Sequence, residues 1–337
     1  MKVLRALLIL VLALALLGLG AWGALALWYR APFDAPLRAG LACLWIAAIL
    51  AVAIALAIGP RRKAWLALLA CVVAMGAWWS TLRPMADRDW AADVAQTVRG
   101  EVVGDKLTLT NVRNFEWRTQ DDFTPAWETR RYDLSKLVSA DLIADYWAGE
   151  TIAHTMVSFG FSDGRYLVWS IEMRRRKDQA FSAIEGFFKQ AELVVLAGDE
   201  RDFFRVRTNL RKEDLRLYRL QISPAMARQA LLAYVDEANR LASEPRWYNT
   251  ATTNCTTLVF QIAKVVEPGI PLDWRVLLSG HFPDYAYDHG ALDRSVPFPE
   301  LRERAKIAAR AQAADAAPAE AFSQAIRAGV PGIAPNP

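Results

Sequence analysis

Three long apolar runs occupy the N-terminal part of the chain. They extend over residues 6–28, 39–59 and 64–82, and none of them contains a charged residue. As a helix, each is long enough to cross a hydrocarbon core of roughly 30 Å. The pattern therefore predicts a membrane anchor with three transmembrane helices over residues 1–85. Cys43 and Cys71 fall inside these spans, where a small apolar role is expected for them.

The first run admits a second interpretation, a cleaved signal peptide, because Lys2 and Arg5 precede it. Its apolar core exceeds the roughly 7–15 residues of such signals, and two more runs follow at once, which favours the anchor. Basic residues near the spans set their orientation. Lys2, Arg5 and the cluster Arg61-Arg62-Lys63 are expected inside the cell, which places everything after Leu82 outside the cytoplasm.

Beyond the anchor, two segments alternate apolar and polar residues around tight turns. Residues 102–112 contain Gly104-Asp105 and predict a short hairpin. Residues 152–161 and 165–173 flank Ser162-Asp163-Gly164 and predict a second one. A three-residue turn centred on Asp163 would pair Phe161 with Arg165 and so fix the register of the whole hairpin.

The other elements complete a mixed pattern. A loop with a short helix is expected at 133–150, strands at 203–207 and 215–222, a helix from Ser223 to about Ala242, and a helix from Cys255 to Pro268-Gly269. Ser223 suits the N-cap and Pro224 the first turn of the longer helix. Together these elements predict an α+β domain over residues 86–300. Residues 301–337 are rich in Ala and Pro and predict a tail with a peripheral helix and a disordered end.

The composition limits the chemistry. A net charge of +4 is small for 337 residues and gives no basis for nucleic acid binding. The exported part holds three scattered histidines and one cysteine without HExxH or CxxC spacing, so no metal site is expected. We find neither a glycine-rich phosphate loop nor a GxSxG motif, and we predict no cofactor.

Cys255 is the cysteine that remains outside the membrane spans. It closes the polar run 248–254 and opens an apolar helix, so its thiol is expected in the first helical turn. Unpaired N–H groups and the positive end of the helix dipole favour a thiolate there. We predict Cys255 as a nucleophile, against the alternative of a buried structural cysteine.

His154 is the preferred general base because it lies in the strand-like segment 152–159. His281 and His289 are competitors in an aromatic loop. The predicted register of the second hairpin places Glu172 opposite His154, where a carboxylate could orient the imidazole. The alternative is that Glu172 belongs to the charged run 172–178 and faces solvent.

Two further residues are predicted to bind substrate. Asn254, directly before the cysteine, could donate to an oxyanion or cap the helix, and capping is favoured. Arg207 belongs to a basic stripe with Arg201, Arg205 and Arg211 that could hold phospholipid head groups. A solvated strand edge explains that stripe equally well.

The order of a histidine strand, "IAHTMVSFGF", before a cysteine helix, "TTNCTT", resembles the permuted papain-like arrangement of NlpC-type enzymes and lecithin:retinol acyltransferases. More specifically, the chain resembles the Lnb family. The matching stretches are "NVRNFEWRT", "IAHTMVSFGFSDG", "SIEMRRR", "DERDFFRVRTN", "LRLYRL" and "YNTATTNCTT", which span about residues 83–300.

That resemblance implies a membrane-anchored thiol acyltransferase in the bacterial inner membrane, with its catalytic domain on the periplasmic side. Cys255 would carry an acyl chain from a phospholipid donor to the N-terminal amine of a lipoprotein acceptor, with His154 as the base. Two alternatives stay open, a cell-wall amidase or peptidase on the same residues and a non-catalytic membrane-anchored scaffold. The scaffold predicts that Cys255 and His154 lie beyond hydrogen-bonding reach of each other.

Overall fold

The computed structural model describes residues 2–85, 88–180 and 182–333. These residues form two compact units. One contains the N-terminal residues up to 85 together with 182–191, and the other contains the remainder.

The first unit is built on three long helices, α1 (Lys2–Arg30), α2 (Ala35–Ile58) and α3 (Arg61–Thr81). All three are long and apolar enough to cross a membrane, which confirms the predicted number of spans. Asp34 caps α2 by accepting a hydrogen bond from the Leu37 N–H.

The segment Ser182–Ala191 joins this unit although it is distant from the helices in sequence. Phe188 stacks on Tyr29 with ring centroids 5.2 Å apart. Lys189 donates to the carbonyl of Trp79 at 2.8 Å. Within this unit, the segment therefore packs on the ends of α1 and α3.

The second unit contains a mixed sheet and a separate two-stranded ribbon. The strands are β1 (Arg99–Val103), β2 (Lys106–Arg113), β3 (Glu116–Trp117), β4 (Phe123–Thr124), β5 (Trp127–Asp133), β6 (Leu137–Tyr146), β7 (His154–Phe161), β8 (Tyr166–Arg174), β9 (Glu192–Gly198) and β10 (Asp214–Arg219). The main sheet runs β1-β2-β9-β8-β7-β6-β10, with β5 also paired to β2, and the ribbon is β3-β4. Only the β2–β9 pairing among these is parallel.

Helices cover both faces of the sheet. They are α4 (Glu200–Arg205), which continues as a π-helical turn (Val206–Arg211), α5 (Pro224–Ser243), α6 (Cys255–Val266), α7 (Phe282–Asp288), α8 (Phe298–Arg304), α9 (Ala308–Ala313) and α10 (Ala319–Ala325). On one face Phe159 packs with Leu231 and Leu258 of α5 and α6. On the other, Met156 and Val168 pack with Phe203. The expected α+β architecture is thus present.

Both predicted hairpins form. Gly104 supplies the positive φ of 61° at the first turn, where Val103 pairs with Lys106. At the second turn, Phe161 N–H donates to the Arg165 carbonyl at 2.9 Å, which is the predicted pairing.

Two local predictions are wrong. Residues 203–207 are helical rather than a strand, because the burial of Phe203, Phe204 and Val206 against the rest of the domain stabilises a helix there. The segment 133–150, expected as a loop with a short helix, contains the ten-residue strand β6.

The C-terminal segment is not a peripheral helix. It folds as α9 and α10, and Ile307, Phe322 and Ile326 are fully buried in the core that contains Met156. The predicted disordered end at Pro335–Pro337 lies outside the described residues.

Candidate active site

Cys255 is the first residue of α6, as predicted, and only 8% of its surface is exposed. Asn254 caps the helix by accepting from the Thr257 N–H at 2.9 Å, and Thr257 Oγ1 accepts from the Asn254 N–H at 2.9 Å. This capping box leaves the N–H groups of Cys255 and Thr256 in the first turn, where a helix offers them no internal acceptor. They are available to a developing oxyanion.

The loop before the cysteine is held by its own hydrogen bonds. Asn249 and Thr253 exchange two backbone hydrogen bonds of 3.0 Å. The Asn254 side-chain amide donates to the Thr250 carbonyl at 2.7 Å. Since both polar atoms of the Asn254 side chain are engaged locally, its place in the structure is that of a helix cap, the favoured one of its two predicted roles.

His154 is the first residue of β7, and Glu172 lies across from it on β8. Met156 pairs with Ser170, so the same register places His154 opposite Glu172 two residues further along. His154 Nε2 lies 3.1 Å from Glu172 Oε1 and 2.8 Å from Ser170 Oγ. Ser170 Oγ in turn donates to Glu172 at 2.7 Å.

Cys255 lies near this pair, since the neighbouring residues Thr155 and Thr256 share a hydrogen bond of 2.8 Å and the charge of Cys255 acts on the His154 ring. Because Nε2 faces Glu172 and Ser170, Nδ1 is the ring nitrogen left for the sulfur. The thiol, the imidazole and the carboxylate thus lie next to one another. The distant placement that the scaffold alternative predicts for Cys255 and His154 is not found.

The three groups stabilise one another as ions. Burial opposes the charge of His154, but the charges of Glu172 and Cys255 outweigh it and raise the pKa of the imidazole to about 10. Burial also opposes ionisation of Glu172, yet His154 and then Arg207 hold the pKa of this carboxyl well below its usual range.

The same balance between burial and neighbouring charge sets the pKa of Cys255. Burial disfavours its thiolate, but the charge and hydrogen bond of His154 and the N–H of Thr155 lower the pKa of the thiol below its ordinary value. Both shifts therefore favour a thiolate–imidazolium pair.

Arg207 does not lie on an exposed stripe, and this prediction needs correction. It is 8% exposed and belongs to the π-helical turn rather than to a strand edge. Its guanidinium donates to Asp145 Oδ2 at 2.9 Å and to Glu172 Oε1 at 3.2 Å. Through these hydrogen bonds, Arg207 holds the Glu172 carboxylate in position.

The other two histidines lie elsewhere. His281 Nδ1 is 3.9 Å from Asp284, and His289 Nδ1 contacts the Tyr285 carbonyl at 2.9 Å. Within residues 2–85, 88–180 and 182–333, no group of three or more His, Cys, Asp and Glu side chains is arranged to hold a metal ion.

This geometry lies within a segment that matches a known family. Residues 123–280 match the family model described as the Lnb N-terminal periplasmic domain. This segment belongs to the Lnb family. The match contains His154, Glu172 and Cys255, and it confirms the resemblance found in the sequence. Searches of curated proteins and of solved structures gave no match.

An exposed apolar surface, here called the apolar rim, borders the site of the Lnb domain. It consists of Trp147, Ile152, Leu272, Trp274, Leu277 and Leu278, of which Leu272 is 73% exposed. Its two segments are tied together because Ala153 N–H donates to Ser279 Oγ and Gly280 N–H to the Thr151 carbonyl, both at 2.9 Å. Ala153 directly precedes His154, so the rim lies beside the imidazole strand.

Several contributors to the Lnb site were not predicted. Ser170 could have been found, since it lies two residues before Glu172 and shares its strand face. Asp145 pairs with His154 across β6 and β7, but β6 was not recognised as a strand. Tyr248 lies close enough to Cys255 and Glu172 that burial first, and then their charges, raise the pKa of its hydroxyl. No sequence signal singles out Tyr248.

Proposed function

We propose that this protein is a membrane-anchored thiol acyltransferase. It takes a fatty acyl chain from a phospholipid as a Cys255 thioester and passes it to the N-terminal amine of a lipoprotein. In this proposal the anchor lies in the bacterial inner membrane with the Lnb domain in the periplasm, and the domain has a permuted papain-like arrangement. The observation that carries it is the grouping of Cys255, at the start of α6, with His154 and Glu172 inside an Lnb domain.

Acylation begins with attack of the Cys255 thiolate on the ester carbonyl carbon. The N–H groups of Cys255 and Thr256 stabilise the oxyanion. As the carbon–oxygen bond breaks, the imidazolium of His154 gives its proton to the leaving oxygen. Lysophospholipid departs, the thioester remains, and the imidazole is neutral.

Transfer reverses these roles. The acceptor amine attacks the thioester carbonyl, and neutral His154 takes a proton from its nitrogen. The carbon–sulfur bond breaks and releases the N-acylated lipoprotein. The thiolate and imidazolium are thereby restored, so no external acid, base or cofactor is consumed. Glu172 holds the imidazole in orientation in both half-reactions.

The surroundings of the site favour lipid over cell-wall substrates. A cell-wall amidase is expected to have a polar cleft, whereas the apolar rim presents large hydrophobic side chains next to His154. Exposed apolar surface of this kind is typical of contacts with membranes or apolar ligands. The rim thus supports a substrate that reaches the site from the bilayer.

The test is reconstitution of the full chain in phospholipid nanodiscs with a diacylglyceryl-cysteine peptide that has a free N-terminus. Mass spectrometry should detect acylated peptide and lysophospholipid in equal amounts. Cys255→Ala should form neither, whereas Cys71→Ala, a matched change of another cysteine, should behave like wild type.

Other products would overturn the transferase. Free fatty acid with lysophospholipid and unmodified peptide would indicate a lipid hydrolase. Cleavage of peptidoglycan stem peptides by the same protein, without peptide acylation, would indicate the amidase alternative. Wild-type products from Cys255→Ala would remove the thiol from the mechanism.

A further inference from the structure

A cavity of about 120 Å³ lies between the sheet and the two helices α5 and α6. Its walls include Leu142, Val157 and Phe159 from the sheet, Tyr234 from α5, and Val259 and Ile262 from α6. The carboxylate and the imidazole that line it belong to the exposed residues Glu267 and His289. The cavity is thus apolar inside and polar only where it reaches the surface.

The cavity follows the face of α6 that carries the nucleophile. Val259, Ile262 and Val266 line it, and they follow Cys255 at steps of four, three and four residues. Such spacing places all four side chains on one helix face. The stretch from Val259 to Val266 spans about 10 Å along the helix axis. A chain attached to Sγ can therefore continue along this face into the cavity.

Tyr234 lines the cavity and also lies near the thiol of Cys255. Its residue is 1% exposed, and its hydroxyl has no hydrogen-bond partner among the described residues. Buried hydroxyls without a partner are rare. Burial raises the pKa of this tyrosine, and the charge of Cys255 adds to the effect, so the ring lies near the sulfur. A carbonyl group brought to the sulfur would offer the acceptor that Tyr234 lacks.

We propose that this cavity receives the hydrocarbon chain of the acyl group carried on Cys255. The inference rests on the proposed thioester function and adds the place where the substrate's apolar part binds. Burial of each methylene in such surroundings is favourable, so the cavity would favour long over short chains.

The volume sets a limit on what fits. At about 120 Å³ the cavity is smaller than the roughly 300 Å³ and more of drug-sized ligand sites. It accommodates a segment of the chain in its present shape. Met226 and Ile270 line it as half-buried residues, and a longer chain would pass them toward the surface. Narrowing the cavity should therefore select against long chains before it affects short ones.

The experiment narrows the cavity from two sides. Ala263→Phe on α6 and Ala230→Phe on α5 change half-buried lining residues, and Ala225→Phe makes the same change at an exposed position of α5. Full-length protein is incubated with an equimolar mixture of phosphatidylglycerols with C10, C12, C14, C16 and C18 chains. Intact mass then gives the chain-length distribution of the hydroxylamine-sensitive adduct on Cys255.

Both lining variants should shift the adduct toward short chains, with the C16-to-C10 ratio lowered about tenfold. Ala225→Phe should keep the wild-type ratio. An unchanged ratio in folded lining variants would overturn the cavity assignment while leaving the thioester intact. Absence of any adduct on wild type would instead overturn the proposed function. Ala230→Leu provides a smaller change if the phenylalanine variants fail to fold, and it should shift the ratio in the same direction.

Discussion

Two buried ionic networks cross the same pair of strands in this domain. Asp145 pairs with His154 and Asp141 pairs with Ser158, so equivalent positions lie four residues apart on β6 and β7. An even spacing along a strand places both networks on one face of the sheet. One of them ends at the thiol of Cys255 and the other does not.

The network around Asp141, called here the closed network, pairs every charge. Arg327 donates to Asp141 at 2.7 Å and to Glu200 at 2.6 Å, and Ser158 Oγ donates to Glu200 at 2.5 Å. Arg219 adds a second cation to Asp141. Asp141, Glu200 and Arg327 are at most 4% exposed. This arrangement joins the C-terminal segment to the sheet and serves structure.

The network around Asp145, called here the open network, runs from Arg207 through Glu172 and His154 to Cys255. Asp145 Oδ1 and Glu213 Oε2 have no hydrogen-bond partner among the described residues. Burial, and then the charge of Asp145, raise the pKa of Glu213 to about 7. The comparison teaches that similar charge pairs lock a fold when they close on one another. In the proposed mechanism, a series of charge pairs that ends at a thiol prepares a nucleophile.

The comparison of the two networks is tested most strongly by replacing the β7 residue at the equivalent position of each network with alanine. His154→Ala should lower the rate of acyl transfer by about 10²–10⁴-fold, because the thiolate loses its counter-ion and the leaving group its proton donor. Ser158→Ala, at the equivalent position of the closed network, should leave that rate within about twofold of wild type. Steady-state transfer rates decide this, and equal losses in the two variants would contradict the division.

The two arginines separate stability from chemistry. Arg327→Met leaves Asp141 and Glu200 buried with a missing cation and should cost about 3–5 kcal/mol, or roughly 10 °C in melting temperature. Arg207→Met should cost less stability, because Glu172 still has His154 as a cationic partner.

Thermal unfolding followed by tryptophan fluorescence gives the order of these losses. A larger drop in melting temperature for Arg207→Met than for Arg327→Met would reverse the assignment of the two networks.

Glu172→Gln sharpens the role of the carboxylate through pH. The imidazolium of wild type is lost as the pH rises through about 10, and its stabilising contribution is complete only below the ordinary histidine pKa. Without the charge of Glu172 the pKa of His154 should fall by about 1–3 units. The alkaline decline of the acylation rate should move to lower pH by the same amount.

The pH profile of thioester formation measures this shift, and Glu172→Asp, which keeps the charge, should restore most of it. An alkaline limb that coincides with wild type in Glu172→Gln would show that the carboxylate does not act on His154.

The smallest expected effect concerns the helix cap that presents the thiol. Asn254→Ala should cost about 1 kcal/mol, since it removes the acceptor of the Thr257 N–H. Asn254→Ser keeps a capping oxygen and should recover most of this loss. Melting temperatures should differ by about 2–4 °C between the two variants. No difference between them would mean that the cap contributes nothing to stability.

Local patterns predicted the elements whose geometry is fixed by nearby residues. The Asp163-Gly164 turn sets the register of β7 and β8, and from it Glu172 could be placed opposite His154. The helix start at Cys255 could be predicted because polar residues precede it and an apolar stretch follows it. Both predictions depend on contacts within a few residues of the chain.

Elements stabilised by distant partners could not be predicted in this way. In β6 the residues Asp141 and Asp145 suggest solvent exposure, but they are buried because Arg327 and Arg207 neutralise them from far along the chain. The same holds for the C-terminal segment, whose alanine-rich composition conceals the buried Phe322. The prediction of an exposed stripe for Arg207 was wrong for a related reason. Its helical turn depends on tertiary packing, which local sequence does not show.

The most direct measurement is the intact mass of purified wild-type and Cys255→Ala protein after incubation with phospholipid. Wild type should gain the mass of one fatty acyl group, hydroxylamine should remove it, and Cys255→Ala should gain none. A folded wild-type protein that acquires no such adduct, or an adduct that persists in Cys255→Ala, would contradict the thioester at the end of the open network.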